Sequence, residues 1–551
     1  MIPVLRPPTS VVFSRVRQSR RMTRRNIAIE TLPRLPIFEA LSSHNPKNIA
    51  IVHSESGDKF TYCSLLSDTA KLKRKLLEMT KADDLQEQRM AFFVENGYNY
   101  VVSLLGIFAA GGMAVPLHPS HPPKELHYIT KNSTPITILT TPNSKAHQVF
   151  PPGFDSPPIL NFPEYPPDKP HDAPVPVDLS PALDPLRGAL MIYTSGTTAA
   201  PKGVVLTHKN LTTQATTLVT AWEMGKDDHL LHVLPLHHVH GIINATLAPL
   251  FAGGTVEYLF PFTAQKVWSR FADTSRKPIS LFMAVPTIYS RLINSYGTLP
   301  EPTRSAGKKN VSNLRLAVSG SAALPASTKQ KWESLGGNLL ERYGMTEIGM
   351  ALSQRLPLTD RMANSVGWPL PGVEVRLASD GADIKEVGQE GEIQIRGNNV
   401  FREYWQKEEA TKKEFTEDGW FKTGDVATRD ERGAYYIKGR ASVDIIKSGG
   451  EKISALEVER ELLELPQVAE AAVVGLEDEN WGQRVAAVLV LTLQGKNEEF
   501  GLVKMRAEMK KRVAEYKVPR EIKVLEAIPR NQMGKVNKKE LVKKVFAGDD
   551  P

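Results

Sequence analysis

The chain has 551 residues, 41% of them hydrophobic and 24% charged. This is typical of a globular protein and too long for a single hydrophobic core. The formal net charge is +8, but residues 1–25 hold seven arginines and no acidic residue, so the remainder is nearly neutral and a nucleic-acid-binding protein is disfavoured. The single cysteine, Cys63, excludes intrachain disulfides and cysteine-based zinc sites, and no apolar run reaches the roughly 20 residues of a membrane-spanning helix.

Residues 1–30 are predicted to be a targeting leader. Before Glu30 the segment is rich in arginine, contains serines and has no acidic residue, which is typical of a mitochondrial or plastid transit peptide. A disordered basic tail is the alternative interpretation. We expect the protein in the mitochondrial matrix, with the plastid or the cytoplasm as alternatives.

Residues 31–439 are predicted to form a large α/β domain with layered sheets. Leu35 to Arg89 is helix-rich, with a long helix around Leu65–Lys81, and a strand, a helix and a strand then suggest a parallel α/β unit (Met90–Val94, Tyr100–Ala110, Ala114–Leu117). Pro151–Pro185 holds twelve prolines and is expected to be a surface loop. Further buried strands are predicted at Gly188–Tyr193, His232–Leu234, Ile279–Val285 and Leu314–Val318.

Residues 440–551 are predicted to form a small C-terminal α+β domain of ordinary size. Its expected elements are a charge-laced helix, two strands and a basic helix: Ala455–Leu463, Ala471–Val474, Val485–Leu491 and Val503–Tyr516.

The stretch Tyr193–Gly203 (YTSGTTAAPKG) directly follows a predicted strand. Its small residues let backbone N–H groups approach an anion, hydroxyls add donors, and a lysine adds positive charge. The candidate phosphate ligands for ATP are Thr194, Ser195, Gly196, Thr197, Thr198 and Lys202. The stretch is not a Walker A loop. It resembles the phosphate loop of the adenylate-forming superfamily, which includes acyl-CoA synthetases, luciferases and peptide-synthetase adenylation domains, although Ala199 replaces a glycine of that pattern.

Two further motifs carry the same resemblance. In Tyr343-Gly344-Met345-Thr346-Glu347 it implies that Tyr343 stacks on adenine, Thr346 contacts phosphate and Glu347 holds Mg²⁺, a cation that prefers oxygen ligands. The resemblance also implies that Asp425 and Arg440 bind the ribose hydroxyls of ATP.

The C-terminal motifs imply a small domain that rotates between two half-reactions. Lys535 stands in a PxxxxGK frame, and the resemblance places it over the reacting carboxylate and the α-phosphate, where a cation stabilises developing charge. Gly449 and Gly450 lie in a loop that the resemblance puts beside the pantetheine tunnel. Arg440 and Asp444 are four positions apart instead of the usual three, so the hinge residue is left unassigned.

The acid pocket is expected near His238 and Ser319. Three histidines in Leu234–Gly241 could bind a metal, but no partner ligands are evident, so we expect one of them to line the pocket. Val285–Leu292 resembles malonyl-CoA synthetases, which implies that Arg291 pairs with the distal carboxylate of a dicarboxylic acid. A surface arginine on a helix is the alternative.

The sequence therefore predicts an ATP-dependent acid–CoA ligase that makes malonyl-CoA, or methylmalonyl-CoA, through an acyl-adenylate, with ATP, Mg²⁺ and coenzyme A. The alternative within this chemistry is a medium-chain fatty or aryl acid as substrate. A module that loads a carrier protein is disfavoured because no carrier domain follows, and a non-catalytic nucleotide binder because Lys535 and Glu347 are present. No oligomeric state is predicted.

Overall fold

The computed structural model describes residues 30–119, 121–142, 144–150, 157–162, 164–165, 167, 177–194, 201–379, 381–530 and 535–546. These residues form a mixed α/β fold with a large N-terminal part and a smaller C-terminal part, which confirms the predicted fold class. The targeting prediction for residues 1–30 falls almost entirely outside them. Among the described helices, none is both long and apolar enough to cross a membrane.

The strands of the described residues, in chain order, are β1 (Glu30–Arg34), β2 (Ile49–His53), β3 (Lys59–Thr61), β4 (Arg89–Phe93), β5 (Met113–Pro116), β6 (Thr137–Thr140), β7 (Ile159–Asn161), β8 (Val177–Ala182), β9 (Gly188–Thr194), β10 (Lys202–Thr207), β11 (His229–His232), β12 (Thr255–Tyr258), β13 (Leu281–Ala284), β14 (Leu316–Ser319), β15 (Leu339–Met345), β16 (Gly349–Ser353), β17 (Trp368–Pro369), β18 (Val373–Ser379), β19 (Ala382–Ile384), β20 (Gly391–Gly397), β21 (Glu403–Tyr404), β22 (Phe421–Arg429), β23 (Tyr435–Arg440), β24 (Ile445–Ser448), β25 (Glu451–Ser454), β26 (Val468–Asp478), β27 (Gly482–Leu491) and β28 (Glu521–Val524).

The α-helices are α1 (Pro36–Ser43), α2 (Tyr62–Thr80), α3 (Tyr98–Ala109), α4 (Pro123–Ser133), α5 (Ala146–Val149), α6 (His208–Ala221), α7 (Ala248–Phe251), α8 (Ala264–Ala272), α9 (Pro286–Tyr296), α10 (Glu301–Ser312), α11 (Ala326–Ser334), α12 (Glu408–Lys413), α13 (Ala455–Leu463), α14 (Leu493–Asn497), α15 (Leu502–Met509) and α16 (Lys538–Val545). A π-helix spans His240–Leu247, and 3₁₀ turns lie at Leu358–Asp360 and Glu515–Lys517. Helix α6 begins where Thr207 and Asn210 cap each other reciprocally, which satisfies otherwise unpaired N–H groups of its first turn.

Two large sheets position the candidate site. One has seven strands in the order β21-β10-β9-β5-β4-β6-β7, and the other has nine in the order β17-β16-β15-β14-β13-β11-β12-β2-β3. Strands β11, β13, β14 and β15 of the second sheet run parallel. Their carboxyl ends therefore share one edge, where open α/β sheets bind ligands. A five-stranded antiparallel sheet (β19-β18-β20-β22-β23) completes the large part.

The C-terminal part has a hydrophobic core of its own. The large core includes residues from Leu32 to Tyr435, whereas two other clusters, beginning at Ile446 and at Ala472, fill the two faces of the sheet formed by β24 to β28. The change from one core to the other falls close to residue 440. The division of the chain at this residue stays a prediction.

Two predicted elements are wrong. The proline-rich segment contains strands β7 and β8 within its described residues. Strand β7 is the edge of the seven-stranded sheet and contains no proline. Strand β8 contains Pro181 but belongs to a two-stranded ribbon with β1, so it has a free side on which a missing N–H costs nothing. The predicted helix Val503–Tyr516 ends at Met509, because the chain must turn there to bury Val518 in the core that Met509 also fills.

Candidate active site

Asp425 is held between a tyrosine and an arginine in the candidate ribose site. The Tyr343 hydroxyl donates to Asp425 Oδ2 at 2.7 Å, and Arg440 Nε donates to Oδ1 at 2.8 Å. Asp425 and Arg440 face each other across the antiparallel pair β22–β23, whereas Tyr343 comes from β15 of another sheet. Burial on its own lowers the pKa of Arg440, but Asp425 outweighs it and raises that pKa. The three residues thus form a charged, oriented group at the junction of two sheets.

Lys202 and Glu347 lie on either side of Tyr404. The Lys202 ammonium is 4.2 Å from the centre of the Tyr404 ring, whose hydroxyl donates to Glu347 Oε1 at 2.9 Å. Thr194 faces Lys202 across the pair β9–β10. The remaining phosphate-loop candidates, Ser195, Gly196, Thr197 and Thr198, lie outside the described residues.

Glu347 fits a magnesium site of one carboxylate plus water. The side chain is buried, and burial raises its pKa although Tyr404 partly opposes this. A nearby cation would favour the ionised form of such a carboxylate, and Mg²⁺ commonly takes one or two carboxylates together with substrate phosphates. Thr346, next to Glu347, is half-buried.

Lys535 of the C-terminal part reaches this cleft. It remains accessible to solvent, yet the protein around it desolvates the ammonium and lowers its pKa, and the positive charges of Arg440 and Arg342 lower it further. Asp425 and Glu347 act in the opposite direction. Lys535 therefore lies close enough to interact with all four charged residues of the candidate nucleotide site.

The candidate acid pocket is lined by buried polar groups. Ser319 ends β14, and its hydroxyl has no hydrogen-bond partner among the described residues. Burial, followed by the charge of Lys535, lowers the pKa of His238 to about 3. His238, which the sequence predicted, thus lies close enough to Lys535 to feel its charge, and Ser319 supplies an unpaired hydroxyl at the end of β14.

Sequence reasoning missed Arg342 in this pocket. Its side chain is buried, one NH₂ group donates to Ser321 Oγ at 3.0 Å, and Nε has no partner among the described residues. Burial lowers its pKa to about 9. A Cβ on Gly320 would lie 2.6 Å from Arg342 Cζ, so the glycine leaves room for the guanidinium. The available signal was an arginine two residues after the buried pair Leu339 and Leu340 of strand β15.

Unlike His238 and Ser319, Arg291 is exposed at the protein surface. It lies on α9 with its side chain exposed, while Ile288 and Leu292 face the core. Arg291 forms no hydrogen bond or ion pair with any described residue. Its pairing with a substrate carboxylate stays a prediction.

The expectation that the histidines of Leu234–Gly241 lack partner ligands is wrong. The ring nitrogens of His118 and His121 lie within 4.8 Å of His237. These residues follow strand β5 of the other large sheet and are more than one hundred positions away in sequence, so no local pattern pointed to them.

Gly449 and Gly450 form the two-residue turn of the β24–β25 hairpin, with φ angles of +60° and +86°. Such a turn favours glycine. A Cβ on Gly449 would lie 2.7 Å from the Trp481 ring, and the Arg520 guanidinium stacks 4.1 Å from the centre of that ring. The turn is thus built against an aromatic and a cationic side chain.

Asp444 connects Arg440, at the end of the large part, to Lys538 of the C-terminal part. One oxygen accepts from the Arg440 N–H at 3.0 Å and the other lies 2.6 Å from the Lys538 ammonium, which also contacts Glu459 at 2.7 Å. The cleft therefore brings together the candidate ribose-binding carboxylate, a candidate phosphate-binding cation, a buried carboxylate that fits a metal and a lysine from the C-terminal part.

Comparison with known proteins agrees with this arrangement. The family model of the AMP-binding enzymes matches residues 38–405, and that of the AMP-binding enzyme C-terminal domain matches residues 457–535. A CoA ligase of Gibberella moniliformis is 47% identical over 94% of this chain and 95% of its own length. The mitochondrial malonate–CoA ligase ACSF3 of Mus musculus is 45% identical over 85% of this chain and 84% of its own.

Two solved structures share the fold. ATP-bound MatB from Rhodopseudomonas palustris superposes with a TM-score of 0.78 at 29% identity, covering 93% of this chain and 98% of that chain. A malonyl-CoA ligase in a ternary product complex with methylmalonyl-CoA and AMP gives 0.63 at 34% identity, covering 90% of this chain and 100% of that chain. With both family models matched in order and long relatives above 40% identity, the chain belongs to the AMP-binding enzyme family of adenylate-forming enzymes.

Proposed function

We propose that the protein is an ATP-dependent ligase that converts malonate, and also methylmalonate, to its CoA thioester through an acyl-adenylate. The observation that carries the dicarboxylate is Arg342. A buried guanidinium without a carboxylate partner is costly, and a substrate carboxylate can bind it through two hydrogen bonds. Ser319 and His238 add polar groups near it. The relatives that are malonate–CoA ligases support the same substrate.

In the first half-reaction a carboxylate oxygen of malonate attacks the α-phosphorus of ATP, and pyrophosphate leaves. Asp425 and Arg440 hold the ribose, Lys202 binds phosphate oxygens, and Lys535 stabilises the charge that develops at the α-phosphate. Mg²⁺, held by Glu347, would neutralise phosphate charge when bound. Arg342 holds the distal carboxylate away from the reacting one.

In the second half-reaction the thiol of coenzyme A, losing its proton, attacks the acyl carbon and AMP leaves. We propose that the C-terminal part first rotates, which removes Lys535 and brings Gly449 and Gly450 to the thiol path. The weaker superposition with the product complex, despite its higher identity, supports this rotation. The arginine-rich leader and the mitochondrial name of the mouse relative support the mitochondrial matrix as location.

The test of the substrate is AMP release from protein lacking the leader, with ATP, Mg²⁺ and coenzyme A. The acids compared are malonate, methylmalonate, succinate, acetate, butyrate, octanoate and 4-coumarate. We expect malonate and methylmalonate to give the highest kcat/KM. A preference for octanoate or 4-coumarate would replace the dicarboxylate with the fatty or aryl acid.

The role of Arg342 is tested by Arg342→Met, which keeps an unbranched apolar stem and removes the guanidinium with its charge. We expect kcat/KM for malonate to fall on the order of 10²-fold, with the KM for ATP little changed. The matched control is Arg291→Met, on an exposed arginine. Collapse of malonate activity in the Arg291 variant alone would assign the carboxylate to Arg291, and no loss in either variant would refute the proposed cationic pocket. Thermal melting verifies that both variants fold.

A further inference from the structure

Three histidines converge at the wall of the acid pocket, from both large sheets. His118 follows β5, His121 precedes α4, and His237 lies between β11 and the π-helix. One ring nitrogen from each lies within 4.8 Å of those of the other two. The ring of His237 is centred 4.2 Å from that of His118 and 4.4 Å from that of His121.

The surroundings leave ring nitrogens of His121 and His237 available as metal ligands. His118 and His237 are buried and His121 is half-buried. Both ring nitrogens of His237 and Nδ1 of His121 lack hydrogen-bond partners among the described residues. Unpaired ring nitrogens of this kind are the atoms through which a neutral imidazole binds metal ions.

We propose that His118, His121 and His237 bind one divalent transition-metal ion of the zinc type, at a site separate from the magnesium site of ATP. Buried polar atoms without partners cost free energy, and coordination would satisfy them. Three imidazoles favour zinc and its neighbours, whereas Mg²⁺ requires oxygen ligands.

The geometry suits a three-histidine site with an open position. Zinc–nitrogen bonds of about 2.0–2.1 Å require the ring nitrogens to approach one another by up to about 1.5 Å, which rotation of the side chains would supply. The fourth coordination position would take water. The Glu125 carboxylate lies 3.8 Å from His121 Nδ1 and is close enough to orient the His121 ring as a ligand. A bound ion would clamp the loop after β5 to the loop after β11. The ring of His237 lies 3.9 Å from that of His238, so this clamp would stiffen the wall of the acid pocket.

The experiment uses the full chain without a polyhistidine tag and without nucleotide, so that the ATP site does not compete. Zn²⁺ affinity is measured by competition with a chromophoric chelator, and Co²⁺ binding by visible absorption. We expect one equivalent of tightly bound metal, a tetrahedral Co²⁺ spectrum, and a higher melting temperature with Zn²⁺. His121→Gln and His118→Gln should each weaken binding by more than the roughly 10–100-fold that a second-shell change costs.

The matched control is His147→Gln, an exposed histidine outside the cluster, which should bind Zn²⁺ like the wild type. Absence of stoichiometric binding, or equal affinity in the wild type and both cluster variants, would overturn the proposal. Equal weakening in the control would also overturn it, because scattered surface histidines would then be responsible. His121 is less buried than His118, so its variant keeps the test valid if the His118 variant fails to fold.

Discussion

Lys535 combines exposure to solvent with a lowered pKa, caused first by desolvation in the cleft and then by Arg440 and Arg342. A cation in this position is suited to the charge that develops as a carboxylate attacks phosphorus. Lys535→Ala is expected to slow adenylation on the order of 10²–10³-fold and to leave thioester formation from supplied malonyl-AMP nearly unchanged. Pyrophosphate release and thioester formation, measured separately, check this.

The control for Lys535 is Lys539→Ala, which removes an exposed lysine from the adjoining helix α16. It should leave both half-reactions unchanged. An equal loss of both half-reactions in Lys535→Ala would contradict its assignment to adenylation.

At the scale of elements, Glu257 on β12 of the nine-stranded sheet contacts the neighbouring strand β11, helix α8 and the loop that follows β2. Arg270 of α8 donates to it at 2.7 Å, Ser54 donates at 2.7 Å, and His229 Nε2 of β11 lies 2.8 Å away. Burial alone raises the pKa of Glu257, but contacts with His229 and Arg270 outweigh burial and hold it at about 2. Its stabilising effect is thus complete above the unfolded pKa near 4.5 and is lost as pH falls towards 2.

Glu257→Gln is expected to lower the free energy of unfolding by about 3–5 kcal/mol at neutral pH, because Arg270 keeps a buried charge without its partner. The difference from the wild type should narrow as pH falls below about 4.5. Urea unfolding of both proteins, repeated from neutral to acidic pH, measures this difference in the free energy of unfolding. Glu374→Gln, on an exposed carboxylate paired with Arg396, is the control and should change stability little at any pH. A pH-independent difference for Glu257 would refute the linkage.

At the scale of the whole molecule, Lys535 lies near the charged residues of the cleft, which is the arrangement that the proposed adenylation step requires. A Cβ on Gly449 would meet Trp481 of the same C-terminal part, whereas a Cβ on Gly450 would meet no described atom within 4 Å. We therefore expect Gly450→Leu, at a φ of +86°, to leave adenylation nearly intact and to slow thioester formation at least about tenfold through strain and blocked approach of the thiol.

The control for Gly450 is Gly388→Leu, which places leucine at a φ of +80° in an open turn of the large part. It imposes similar backbone strain away from the cleft, so both half-reactions should persist. If Gly450→Leu slows both half-reactions equally, the turn does not serve the second step alone.

Local patterns predicted much of the fold and of the nucleotide site. Helix α13 was predicted with its observed bounds, and Tyr343, Asp425, Arg440 and Lys535 meet in one cleft. The errors occurred where long-range packing outweighs local preference. Strands β7 and β8 form within a proline-rich segment because they lie at sheet edges, and the helix before Val518 ends early because the core requires a turn.

The sequence by itself determined the family, the order of the two parts and the candidate nucleotide-site residues, because each motif is a short contiguous stretch whose residue types suit its chemistry. The tertiary structure alone decided which cation is buried in the acid pocket and which histidines meet. Arg342 faces the pocket and Arg291 faces solvent because of how β15 and α9 pack. His118 and His121 meet His237 because the edges of two sheets adjoin. Such convergence depends on the packing of distant segments, which no local pattern encodes.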